Sequence, residues 1–190
     1  MSVQEALEVD SALTGAECLD FDTIYAQHFD FVWRNLRRLG VHESGLRDAA
    51  QEVFLVVHRR LGEFVPRGSL RSWLYSILRR VAAAQRRQRY RGGSLGLGDE
   101  ADLVADCSLP NPERHAARGQ ALRQLLVLLE RLDEEKRDVL VLVDLEGMSV
   151  PEACLTLDVN ANTLYSRLRA ARQQMRQKFA QCNLDDWRQP

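Results

Sequence analysis

Gly92, Gly93, Gly96 and Gly98 interrupt an otherwise helical pattern at the middle of the chain, and from there to Pro110 few large apolar residues occur. Glycine costs more backbone entropy on ordering than any other residue and brings no side chain to bury. A stretch of this composition reads as a flexible linker. Its length, about twenty residues, exceeds what a compact domain normally tolerates as a loop. The 190-residue chain is therefore expected to form two small units, 20–91 and 112–180, joined by a linker over 92–111. An acidic N-terminal tail over 1–19, read as disordered, and a C-terminal tail over 181–190 complete the division.

Both units read as all-α. Phe21, Ile24, Tyr25, Phe29, Val32, Leu36 and Leu39 recur at helical spacing. Asp20 or Asp22 can cap this first helix, and Gly40 can end it. Leu46, Ala50, Val53, Phe54 and Val57 give a second helix over about 45–61, with Gly62 as its terminator. Ser69 can cap a third helix through Tyr90, buried along Leu70, Trp73, Leu74, Ile77 and Val81. Three helices on short connections make a compact bundle. The second unit restarts at Asn111-Pro112-Glu113, with Asn as cap and Pro at the first helical position. Leu122, Leu125, Leu126 and Leu129 supply its stripe. Asp133 caps the next helix, which buries Val139, Leu140, Leu142 and Val143 and ends at Gly147.

Charge is distributed in blocks that the formal total of −1 hides. Between Pro66 and Gly98 there are eight arginines and no acid, with Trp73, Tyr75 and Tyr90 among them. Ordinary surface helices mix both signs. Arginine interleaved with aromatics suits phosphate contact and base stacking. Residues 1–33 hold seven acids and no Lys or Arg, residues 99–113 hold five acids, and residues 159–184 hold five basic residues and no acid. Two basic blocks separated by an acidic spacer suggest two modules on one polyanion.

Several classes are disfavoured. No apolar run is long enough to span a bilayer, and no signal-peptide pattern opens the chain, so no membrane insertion and a cytoplasmic location are expected. Cys18, Cys107, Cys154 and Cys182 form no Cys-x-x-Cys pair, so neither a disulfide framework nor a zinc site is supported. Cys154 reads as a small buried hydrophobe. His28, His42, His58 and His115 show no metal or triad spacing, and no phosphate-binding glycine loop occurs. No cofactor and no enzymatic activity are expected.

The C-terminal pattern is a helix-turn-helix. Ser149-Val150-Pro151-Glu152 has the capping-box form and opens a short helix burying Ala153, Cys154 and Leu157. Asp158-Val159-Asn160 is a tight turn. A longer helix follows over about 161–179, apolar along Leu164, Leu168, Ala171, Met175 and Phe179. Tyr165, Ser166, Arg167, Arg169, Arg172, Arg176 and Lys178 lie off that stripe. Such a helix can enter a major groove with its first residues at base edges and its arginines on phosphates. A plain helical hairpin has the same local signature.

The two modules together resemble the extracytoplasmic-function sigma factors, the small two-domain sigma subunits of bacterial RNA polymerase. Asp48-Ala-Ala-Gln51-Glu52-Val-Phe54-Leu55 is similar to the family's polymerase-binding helix. Ser69-Leu-Arg-Ser-Trp73-Leu74-Tyr75-Ser-Ile77 is similar to its minus-ten helix. Leu132 through Val139-Leu140, Gly147-Met-Ser149, and Thr163 through Arg172 resemble its minus-thirty-five module. The likeness covers roughly residues 20–180. The chain departs from the family pattern at Arg80, often Asn, at Ala84, often Asp, and at Tyr165, usually Arg.

The resemblance implies a protein that binds core RNA polymerase, directs it to promoter DNA and helps open the duplex. It implies that Asp48, Gln51, Glu52 and Phe54 meet the polymerase. It assigns Trp73, Tyr75, Arg79, Arg80, Arg86 and Arg87 to the minus-ten strand, with the loop from Phe64 to Ser69 beside them. The spacing of Trp73 with Leu70 and Ile77 also makes it at least partly core. Asn162, Thr163, Tyr165 and Ser166 are expected at minus-thirty-five bases, with Arg167, Arg169 and Arg172 mainly on phosphates. Family members are commonly held by an anti-sigma factor, which makes one an expected partner. A stand-alone helix-turn-helix repressor remains the rival reading, and it accounts for the C-terminal half alone.

Overall fold

The computed structural model describes residues 20–64, 68–91 and 112–186. The expected N-terminal tail, the residues 65–67 of the first loop and the linker 92–111 lie outside the described residues. Every described element is helical. Helix α1 (Phe21–Arg38) starts on Asp20, whose carboxylate accepts from the Thr23 amide at 3.2 Å. It ends where Gly40 takes φ +82° and the Val41 amide donates back to the Leu36 carbonyl at 3.0 Å, a closure that a left-handed glycine permits.

Helix α2 (Glu43–Arg60) begins before the expected Gly45, because the His42 imidazole accepts from the Ser44 amide at 3.3 Å and serves as cap. Gly62 sits inside one turn of 3-10 helix, Leu61–Glu63, that closes it. Helix α3 (Leu70–Arg91) is capped by Ser69, whose hydroxyl accepts from the Ser72 amide at 3.2 Å.

In the second unit α4 (Pro112–Glu130) leads to α5 (Glu134–Leu140), capped by Asp133 through the Lys136 amide at 3.0 Å. The chain then widens into a π turn, Val141–Leu145, which periodicity alone did not reveal. Helix α6 (Val150–Leu157) starts on Ser149, and Asp158 turns the chain at φ 55°, ψ 50°. Asn160 Oδ1 accepts from the Thr163 amide at 2.8 Å and opens α7 (Ala161–Asp186). That helix runs past the expected end at 179 into the segment read as a tail.

Ile24, Val32, Leu36, Leu46, Val53, Leu74 and Leu78 are buried among α1–α3. Leu129, Val139, Leu142, Ala153, Leu164, Leu168 and Ala171 are buried among α4–α7. The stripe of α7 fades beyond Ala171: Met175 is half-buried and Phe179 is 52% exposed. Cys154 is likewise only half-buried.

The two apolar cores meet in one continuous cluster, with α3 packed on α6 and α1 on α4. Each fully buried leucine contributes roughly 1.5–3 kcal/mol, so apolar burial dominates inside each unit. The seam between the units is different in kind, being rich in charge and hydroxyl groups.

Candidate polymerase and promoter interfaces

On α2, Asp48, Gln51 and Glu52 are exposed. Their spacing of three and four residues puts them on one face. Gln85 on α3 donates to Glu52 at 3.3 Å and steadies that face. Phe54 is not part of it. Its ring is 4% exposed and lies 4.6 Å from Tyr25 and 6.2 Å from Phe29, centroid to centroid. Phe54 therefore supports the face from below, a correction that follows from its place on the Val53–Val57 stripe. Leu55 and Tyr25, 48% and 43% exposed, are the apolar groups at this surface. Leu55 lies off the buried stripe, and that was the signal available in the sequence.

Of the seven arginines on α3, the four expected at the minus-ten strand fall into two pairs, each spaced by seven residues. Arg80 and Arg87 are exposed. Arg79 and Arg86 turn toward the second domain, where Arg79 Nε lies 3.4 Å from Asp138 and Arg86 Nη2 lies 2.9 Å from Glu134. Arg86 also donates to the Leu39 carbonyl. The structure therefore brings together Arg80 with Arg87, but not all four.

The two aromatics also part. Trp73 is half-buried, 5.0 Å from the Phe64 ring. Tyr75 is completely buried and offers no stacking surface in this arrangement, where Asp138, Glu146 and Arg137 of the second domain lie close to it. Arg71 lies over the Phe31 ring at 5.6 Å, a cation–π contact.

Asp138 is the most perturbed acid of the seam. Burial pushes its carboxyl up to about 7, against the opposing pull of the Arg79 guanidinium. Burial likewise raises the Tyr75 phenol well above its ordinary value, and the Asp138 charge adds to the effect. Asp138 Oδ1 and the Tyr75 hydroxyl have no hydrogen-bond partner among the described residues. Each such group costs about 1–3 kcal/mol.

Glu152 departs from its expected capping role. The Ser149 hydroxyl does accept from the Glu152 amide, at 3.4 Å. The Glu152 carboxylate instead crosses the seam, accepting from Ser72 Oγ at 2.7 Å and from Ser69 Oγ. Glu146 similarly meets Arg34, at 3.1 Å, and Arg38.

At the helix-turn-helix, Asn162, Tyr165, Ser166, Arg169 and Arg172 are exposed along α7, while Thr163 and Arg167 are half-buried. The Ser166 hydroxyl donates to the Thr163 carbonyl at 3.0 Å. Arg167 pairs with Glu135 at 2.7 Å, and Arg172 forks onto Asp144 at 2.6 and 2.9 Å. Tyr165, Leu168, Arg169, Arg172 and Arg176 line one open groove. Arg176 belongs with the expected set by its spacing four residues beyond Arg172.

Among the described residues no group of His, Cys, Asp and Glu could hold a metal ion, and no helix is long and apolar enough to cross a membrane.

Residues 24–92 match the family described as Sigma-70 region 2, and residues 122–175 match Sigma-70 region 4. The RNA polymerase sigma factor NccH of Alcaligenes xylosoxydans xylosoxydans is 30% identical over 172 residues, covering 90% of this chain and 91% of that protein. The ECF RNA polymerase sigma factor SigE of Mycolicibacterium smegmatis is 32% identical over 160 residues, 84% of this chain and 62% of SigE. Among solved structures, CnrH in complex with the cytosolic domain of CnrY superimposes with a TM-score of 0.60 at 25% identity, over 84% of this chain and 87% of that one. The paired modules, their order and this similarity along most of the length show that the chain belongs to the sigma-70 family of RNA polymerase sigma factors, in its extracytoplasmic-function class.

Proposed function

We propose a division of labour in which this sigma factor acts through three separate faces and by binding alone, with no covalent step. Its task is to bind core RNA polymerase, carry it to specific promoters and promote their opening. The α2 face of Asp48, Gln51 and Glu52, with Phe54 beneath it, meets the polymerase. Arg79, Arg80, Arg86 and Arg87 of α3 hold the backbone of the minus-ten strand, and Trp73 offers the stacking edge. Asn162, Thr163, Tyr165 and Ser166 read minus-thirty-five bases, while Arg167, Arg169 and Arg172 hold phosphates. In this reading the polymerase-binding and minus-ten functions belong to 20–91 and the minus-thirty-five function to 112–180.

The observation that carries the reading is the presence of both family modules, in order, each with its own basic helix. Melting opposes about 1.4 kcal/mol of stacking per base-pair step. Capturing unpaired bases and neutralising phosphates offsets that cost. CnrH was solved with the cytosolic domain of CnrY, and on that likeness the proposal extends to an anti-sigma factor as partner.

The test is run-off transcription with purified core polymerase across a library of genomic promoters. Promoter-dependent transcripts that require this chain are expected. Duplex binding without polymerase and no transcripts would instead favour a repressor.

A further inference from the structure

We propose that the acidic face of the second domain is an internal stand-in for the promoter strand, so that the closed chain inhibits itself. The proposal rests on the assignment of α3 to the minus-ten strand made above.

Four carboxylates form this face. Glu134 and Asp138 come from α5, Glu146 follows the π turn, and Glu152 lies on α6. Their partners all belong to the first domain: Arg86 at 2.9 Å, Arg79 at 3.4 Å, Arg34 at 3.1 Å with Arg38, and the hydroxyls of Ser72, at 2.7 Å, and Ser69. Among the described residues every ion pair across the seam has its cation on the first domain and its anion on the second. The side chains of Asp138 and Glu146 retain only 5% exposure, so they are set into the seam rather than along its rim.

This polarity is what a row of phosphates would present to the same surface. The stretch 66–98 has eight arginines and no acid, so its acidic partners come from outside it. A strand lying along α3 needs the side of Arg79 and Arg86, which these acids occupy. Tyr75 is sealed beneath the same cover.

The seam is also built to part. The Tyr75 hydroxyl, Asp138 Oδ1 and Arg38 Nε are buried in it without a partner among the described residues. Opening hands each of them to water, which offsets part of what the lost ion pairs contributed. Closure and strand binding thus compete for one set of cations, and the open population sets the apparent affinity for DNA.

The experiment uses the full chain without polymerase, a fluorescent single-stranded oligonucleotide rich in A and T, and small-angle scattering. The variant Glu134→Gln, Glu146→Gln, Glu152→Gln should keep its helical circular dichroism and expand. It should bind the strand about tenfold tighter than the parent, as removal of a closed population predicts. A charge-matched control, Asp22→Asn, Asp30→Asn, Glu63→Gln, alters exposed acids away from the seam and should gain much less. An equal gain in the control, expansion without gain, or an unchanged radius overturns the proposal.

A locked chain gives an independent readout should the threefold variant fail to fold. Ser72 Oγ and Met148 Sδ lie 3.8 Å apart across the seam. Ser72→Cys with Met148→Cys, once oxidised, should lose strand binding and recover it with reductant. Undiminished binding by the oxidised form also overturns the proposal. Failure of the sigma assignment would appear separately, as no run-off transcript from the parent chain with core polymerase.

Discussion

The Arg137 guanidinium donates from Nη1 to the Leu39 carbonyl at 2.8 Å, so an arginine of the second domain closes the first helix of the first. The same side chain donates to the carbonyls of Leu129 at 2.8 Å and of Glu130 and Leu132 at 2.9 Å. It is 6% exposed. One planar fork thus satisfies the carbonyl ends of two helices, a task that the point charge of lysine performs poorly.

Arg137→Ala is expected to destabilise the chain by about 3 kcal/mol, since it strands several buried carbonyls at once. Arg137→Lys should recover little of this. Urea unfolding followed by circular dichroism measures both variants. A loss for the alanine variant well under 1 kcal/mol, about the net worth of a single hydrogen bond, would count against this role.

Gly40 is coupled to that arginine. Its φ is +82°, and a Cβ placed there would lie 3.0 Å from Arg137 Nη1 and 3.4 Å from Arg86 Cδ. Gly40→Ala should cost about 1–2 kcal/mol from the left-handed backbone alone, plus displacement of the guanidinium. Its loss and that of Arg137→Ala should sum to more than the double variant shows, because they disturb one contact. Strict additivity in a double-mutant cycle would separate the two residues.

Closure should respond to pH through Asp138. Its carboxyl sits at about 7 in the closed chain, raised by burial, against an ordinary value near 3.8 once exposed. The closed form therefore holds the proton more tightly and is favoured as pH falls from about 7 toward 4. Above 7 both forms are ionised, so closure is at its weakest and changes no further. Arg79, Arg86 and Tyr75 of α3, with Glu134 and Arg137 of α5, are the other groups facing this site. The slope is bounded at roughly 1.4 kcal/mol per pH unit for one proton. Scattering radii from pH 5.5 to 8.5 should grow for the parent and stay flat for Asp138→Asn; parallel curves would remove Asp138 as the origin.

The sequence made the helices legible more readily than their relation. Asp20, Ser69, Asp133 and Ser149 act as caps where short polar side chains precede apolar stripes, because capping is a local interaction. The His42 cap and the π turn at Val141–Leu145 carry no comparable local signature. The seam was hidden for a different reason. Asp138 sits beside Arg137 in an otherwise charged opening turn, and only the fold brings Arg79 to it. Glu152 fits a capping box so well that its cross-domain role was masked. At the candidate sites, exposure of Asp48, Gln51 and Glu52 followed from their position off the stripe. The burial of Phe54 followed from its place on the stripe, whereas that of Tyr75 was hidden, because spacing is local while burial depends on what packs above it.

The helix-turn-helix should divide base reading from phosphate contact. Arg172→Ala should weaken all minus-thirty-five variants alike and lower the salt slope by about 0.9. Tyr165→Ala should change base preference, at about 1–3 kcal/mol for one position. Binding to a promoter panel at several salt concentrations tests both, and the reverse pattern would exchange their roles. Arg172 holds Asp144 at 2.6 Å, so Asp144→Asn should strengthen duplex binding by releasing it.

Joint replacement of Asp48, Gln51 and Glu52 by Ala should weaken association with core polymerase while shifting stability by no more than about 0.5 kcal/mol each, as exposed positions do. A titration of labelled core polymerase reads the first effect and urea unfolding the second. Full retention of affinity would move the docking face elsewhere.

On the assignments proposed above, the α2 face is open while the Arg79–Arg86 side of α3 is covered, and that asymmetry implies a sequence of events. A closed chain can be captured by polymerase before it can hold a strand. Capture in solution and commitment to a start site then become successive steps, with the unbound factor kept from lingering unproductively along the genome.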